Sequence, residues 1–105
     1  MILDRLEQME QRYQDLQAQF SLPEVLNDHE KYQKTAKLLR EIEEPVEKYR
    51  ELKQARQGLA DANAMLSESD PDLRAMAEEE IAVLAPRVEA LEEAIKVLHK
   101  VVNAK

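Results

Sequence analysis

Apolar residues fall on helical stripes along almost the whole chain. Ile2, Leu6, Met9, Tyr13, Leu16 and Phe20 succeed one another at steps of three or four. That spacing keeps them on one seam of a helix, with Glu, Gln, Arg and Asp on the other faces. The seam stops at Ser21-Leu22-Pro23, where Pro23 has no amide proton for the ladder and biases Leu22 towards extended backbone. The pattern predicts a first helix over 2–20. Residues 21–28 form a connector with room for a short helical turn at Glu24–Leu26. Asn27 or Asp28 then offers a side-chain oxygen to the open amides of a new helix.

The second stripe is Tyr32, Ala36, Leu39, Ile42, Val46, Tyr49, Leu52, Ala55, Leu59, Ala62 and Leu66. It predicts a helix over 29–66, about 57 Å long at a rise of about 1.5 Å per residue. Pro45 removes the bond to the Glu41 carbonyl, but the stripe keeps its phase, so a bend is expected and not a break. Gly58 weakens the same helix by roughly 1 kcal/mol relative to Ala. Ser67-Glu68-Ser69-Asp70-Pro71 punctuates the chain. Asp70 suits the N-cap, Pro71 the first helical position, and Asp72 the positive end of the helix dipole. A third helix follows over 71–102, its seam made of Leu73, Ala77, Ile81, Leu84, Val88, Leu91, Ile95, Leu98 and Val102. Pro86 bends it locally.

A short loop between two long helices makes them antiparallel neighbours. The expected fold is all-α: an elongated three-helix bundle about 50–60 Å long. It consists of a hairpin of 29–66 and 71–102 with the shorter helix 2–20 packed along it, and residues 1–105 make one helical domain. The outer end, near residues 60–80, is expected to project as a two-helix stalk. Ala60, Ala62, Ala64, Ala75 and Ala77 suit close packing there.

Composition sharpens this picture. With 35% charged residues, 4% aromatics and one Gly, the chain lacks the turn chemistry and β-formers of a sandwich or barrel. At 44% hydrophobic it is too apolar to be wholly disordered. It contains no Cys, hence no disulfide or thiolate metal site. No apolar stretch resembles a signal peptide or a bilayer span, so the expected location is cytoplasmic, away from membranes.

The formal charge of −7 makes a general nucleic-acid binder, and DNA as a partner, a poor expectation. The charge is uneven: −3 over residues 1–27, +1 over 28–57 and −5 over 58–105. Only the middle third approaches RNA without strong repulsion. There Lys31, Lys34, Lys37 and Arg40 recur at steps of three, followed by Lys48, Arg50, Lys53 and Arg56. One reading is a solvated helix face supported by pairs such as Glu44–Lys48. The other is a docking surface for an RNA backbone or an acidic partner.

Candidate chemistry is sparse. His29 and His99 are the only imidazoles; neither has a second ligand one helical turn away, and both are expected to be largely solvated. Neighbours within Glu78-Glu79-Glu80 and Glu92-Glu93 point about 100° apart on a helix and cannot clasp one substrate. Ser21, Ser67 and Ser69 lie in connectors. A phosphate loop cannot be built from one Gly. The sequence therefore predicts no catalytic residues, no cofactor and no metal.

Three stretches carry a resemblance. Leu22-Pro23-Glu24-Val25-Leu26-Asn27-Asp28-His29-Glu30-Lys31-Tyr32 is the first. The second is Glu47-Lys48-Tyr49-Arg50-Glu51-Leu52-Lys53-Gln54-Ala55. The third is Asp70-Pro71-Asp72-Leu73-Arg74-Ala75-Met76-Ala77-Glu78-Glu79-Glu80. In order, spacing and helix layout, over about residues 1–98, they resemble the N-terminal helical domain of bacterial class I peptide chain release factors. The UAG- and UAA-reading type is the nearer match. The family hydrolyses peptidyl-tRNA through a Gly-Gly-Gln motif in one domain and reads stop codons through a Pro-x-Thr tripeptide in another. Here the only Gly is Gly58, and the lone Thr35 follows no suitably spaced Pro.

The resemblance implies a module of translation termination without the catalytic and codon-reading domains. Its implied partners are the ribosome near the stalk base, in the context of the full-length factor, and the remaining release-factor domains. From His99 onwards the sequence departs from the family pattern. Lys31, Lys34, Lys37 and Arg40 are the candidate ribosome or RNA contacts, chosen by charge. Two other readings stand beside this one. One is a structural coiled-coil adaptor that self-associates and has no part in termination; the other is a free-standing competitor for the termination site.

Overall fold

The computed structural model describes residues 2–104, and side chains over 3–100. The described residues are all-α: α1 (Ile2–Phe20), α2 (Pro23–Leu26), α3 (His29–Met65) and α4 (Pro71–Ala104). The expected turn in the connector is a four-residue helix. Leu22 ahead of Pro23 is extended, with φ −77° and ψ 137°, as the proline ring requires. The Leu22 carbonyl then accepts the amides of Val25 and Leu26 at 3.0 and 2.9 Å.

The next cap is settled between its two candidates. The Lys31 amide donates to Asp28 Oδ1 at 3.2 Å, while Asn27 closes α2 by donating its own amide to the Pro23 carbonyl. At the α3–α4 turn, Asp70 Oδ1 accepts the Asp72 amide at 2.9 Å, and Pro71 opens α4. A further clamp was not foreseen: Arg74 Nη1 donates to the carbonyls of Glu68 (3.0 Å) and Ser69 (3.3 Å). Two helix ends shift slightly. α3 stops at Met65 instead of 66, where the Leu66 amide tightens onto the Asn63 carbonyl. α4 continues past 102 to Ala104. Both α3 and α4 run through their prolines unbroken; Pro45 is buried and Pro86 exposed.

The chain forms two compact units, Met1–Glu47 with Lys96–Lys105, and Lys48–Ile95. In the first, α2 packs on α1, and Leu6, Leu16, Val25 and Val46 are buried. Two polar residues absent from the predicted seams, Glu10 and Thr35, are buried as well, each 7% exposed. Tyr32 corrects the α3 seam. It is 42% exposed and meets Phe20 in an edge-type ring contact, with centroids 4.7 Å apart and planes at 60°. Ile2 and Val102, the outermost members of their seams, lie outside the described side chains.

The second unit is an antiparallel hairpin of the 48–65 part of α3 and the 71–95 part of α4. Tyr49, Leu52, Ala55 and Ala62 are buried from one helix, and Ala77, Val88, Leu91 and Ile95 from the other. Burying a Leu or Ile side chain of this kind contributes about 1.5–3 kcal/mol. Gly58 has a packing role that propensity alone did not reveal. A Cβ placed there would stand 3.1 Å from Leu84 Cδ1, so the missing side chain leaves room for the tip of Leu84. Of the five alanines expected to pack the tip, Ala62 and Ala77 are buried, while Ala60, Ala64 and Ala75 face solvent. Leu66, expected on the seam, is 39% exposed.

Candidate functional site

The candidate cation row begins in the first turn of α3. The Asp28 cap and the Phe20–Tyr32 ring contact fix where that helix starts and how it is rotated. Thr35 is buried, and Ala36, Leu38 and Leu39 are half-buried, which assigns the inward face. Lys31, Lys34, Lys37 and Arg40 are all exposed. Among the described residues none of the four has a carboxylate within 4.0 Å. Each step of three turns the helix about 60° short of a full revolution, so the row winds around α3. Lys34 and Lys37 are its central, adjacent pair, and Lys31 and Arg40 flank them on opposite sides.

The second basic group, Lys48, Arg50, Lys53 and Arg56, differs in kind. Lys48 Nζ stands 3.4 Å from Glu51 Oε2, in place of the expected pairing with Glu44. Lys53 Nζ lies 4.7 Å from the centroid of the Tyr49 ring, a cation–π contact worth about 0.5–1 kcal/mol at an exposed site. Arg56 Nη2 meets Glu92 Oε1 at 3.0 Å across the hairpin. Arg50 is engaged as well. With both partners about 40% exposed, the Arg56–Glu92 pair stabilises by no more than about 1 kcal/mol, yet it ties the guanidinium to the chain's own surface. Two groups that look alike in sequence thus separate into one committed internally and one open to solvent.

The histidines divide too. His29 is exposed as expected. His99 is half-buried with its Nδ1 shielded from solvent, a correction to the solvated reading. It stands one position past Leu98, and a seam of finite width covers part of its ring. Among the described residues no group of three or more His, Asp or Glu side chains could hold a metal ion. No helix there is long and apolar enough to cross a membrane.

A second feature escaped the sequence reading. In the hairpin unit Met65, Met76, Val83 and Leu84 wall an open recess of about 460 Å³, and Glu79 and Glu80 stand on its lining. Met76 is 60% and Val83 68% exposed. The available signal was two apolar residues seven apart on α4, off its main seam.

These features define a chain that is all-helical over its described residues and carries an exposed row of cations winding around α3. The chain belongs to the PCRF domain family, whose model matches residues 9–102. Peptide chain release factor 1 of Acidobacterium capsulatum is 46% identical over 97 residues, covering 92% of this chain and 27% of that protein. The protein of the same name from Geobacillus kaustophilus is 47% identical over 98 residues, with 92% and 27% covered. That of Bacillus subtilis is 44% identical over 98 residues, with 92% and 28% covered. The chain therefore spans little more than a quarter of the length of the curated relatives it matches. No solved structure matches it.

Proposed function

We propose that this chain is the ribosome-docking and positioning module of a peptide chain release factor that acts at UAG and UAA stop codons. It contributes no bond-breaking group itself. The observation that carries the docking role is the state of the Lys31, Lys34, Lys37 and Arg40 row: four exposed cations with no ion-pair partner among the described residues. They sit on an otherwise acidic chain of net charge −7. Such cations exchange their counterions for backbone phosphates without first breaking an internal pair. Likeness to release factor 1 proteins over 92% of the chain supplies the setting. In that setting the row contacts ribosomal RNA near the stalk base, and the bundle holds the factor's other domains in place. The chain's contribution is then affinity and orientation, and the chemistry belongs to those domains.

The test replaces the matching quarter of Bacillus subtilis release factor 1 with this chain and reverses two charges, Lys34→Glu with Lys37→Glu. Peptide release from stop-codon-programmed ribosomes is measured against factor concentration. The reading expects the half-saturating concentration to rise about tenfold, since removing an interaction made equally before and during the reaction changes binding alone. The maximal rate stays unchanged. An unaltered half-saturating concentration, or a fall in maximal rate alone, contradicts it.

A further inference from the structure

We infer that the recess on the hairpin unit is a docking site for a basic protein segment, one that inserts a large apolar side chain between Met76 and Val83 and sets Lys or Arg against Glu79 and Glu80. Three observations carry this, none of which involves the cation row or depends on its role. Met76 and Val83 lie off the α4 seam and are 60% and 68% exposed, and clustered exposed apolar side chains mark contact sites. The walls include two methionines, Met65 and Met76, whose unbranched thioethers adapt to differently shaped apolar partners. The volume of about 460 Å³ also lies in the range of specific pockets, roughly 300–1,000 Å³.

Charge selects among occupants. Glu79 and Glu80 line the recess, and Glu78 beside them is exposed, so a carboxylate-bearing or phosphate-bearing partner is repelled. A second copy of the chain docking recess to recess would bring these carboxylates against their own equivalents, because a two-fold contact pairs each patch with itself. A cationic segment suffers neither penalty. An amphipathic helix with apolar anchors two turns apart and Lys on either side matches the i, i+7 disposition of Met76 and Val83.

The test is a methyl NMR titration of the 105-residue chain with two helical peptides of about fifteen residues. Both carry the same Phe and Leu two turns apart; one is flanked by Lys, the other by Glu. The Lys-flanked peptide is expected to shift the Met65, Met76 and Val83 methyl resonances, and the Glu-flanked peptide to leave them in place. Val83→Asn weakens the Lys-flanked peptide about tenfold, as loss of an anchor contact does. Val97→Asn, at an exposed valine elsewhere on α4, does not. Glu79→Lys with Glu80→Lys transfers binding to the Glu-flanked peptide, a gain that unfolding cannot imitate. The inference is overturned if both peptides bind equally, or if Val97→Asn weakens binding as much as Val83→Asn. It is overturned equally if concentrating the chain alone, or adding an RNA duplex, moves the same resonances.

Discussion

Gly58 and Leu84 show how a propensity argument has to be weighed against a packing contact. By helix propensity Gly58 costs roughly 1 kcal/mol against Ala, and the sequence offers no compensation. In the folded hairpin an added Cβ would meet Leu84 Cδ1 at 3.1 Å, so that side-chain tip would have to give by a few tenths of an ångström. Leu84 Cδ1 is the far end of a flexible side chain that lines the open recess and can swing into it. Gly58→Ala should therefore raise stability by about 0.5–1 kcal/mol in urea unfolding. A lowered midpoint would mean that Leu84 is held in place. Leu52, 1% exposed, has no such freedom, and Leu52→Ala should cost about 2–5 kcal/mol in the same measurement. At this scale the sequence identified the core well. Leu6, Leu16, Val46, Leu52, Val88, Leu91 and Ile95 sit on predicted seams and are buried. It missed Glu10 and Thr35 because a polar side chain beside a seam looks the same in sequence whether the neighbouring element covers it or leaves it in water.

Helix boundaries are the scale at which sequence was most legible, because caps are local. Leu22-Pro23, Asp28 and Asp70-Pro71 each act on amides within three residues, so tertiary structure has little scope to overrule them. Asp70→Ala removes the acceptor of the Asp72 amide and should lower stability by about 1 kcal/mol. Asp28→Ala should do the same at the start of α3 and speed amide exchange at Lys31, the amide it now holds. No change at Lys31 would show that the cap is ornamental. The pairing of charges was not legible, since it depends on which helix lies alongside. Arg56 finds Glu92 thirty-six residues away, and Lys48 pairs with Glu51 three residues on and not with Glu44 four residues back. The α4 recess escaped for a related reason. Met76 and Val83 read as incidental apolar residues until Met65 of α3 is brought beside them.

For the molecule as a whole, charge distribution and family membership converge. A chain with net charge −7 keeps one helical row of cations unpaired among its described residues and commits the next basic group to its own carboxylates and to a tyrosine ring. That division fits a surface that recognises phosphate by charge while the remaining surface discourages non-specific binding. The two proposals give the sites different partners: an anionic backbone for Lys34 and Lys37, and a basic segment for the recess beside Glu79 and Glu80. Docking of the row on RNA is decided by the salt dependence of ribosome binding, measured on the Bacillus subtilis chimera with and without Lys34→Glu and Lys37→Glu between about 50 and 200 mM salt. If the row docks on RNA, the double variant binds more weakly at low salt, and its log–log slope is shallower by about 1–2, the loss of two phosphate contacts. Identical affinities and parallel slopes for the two proteins would contradict it.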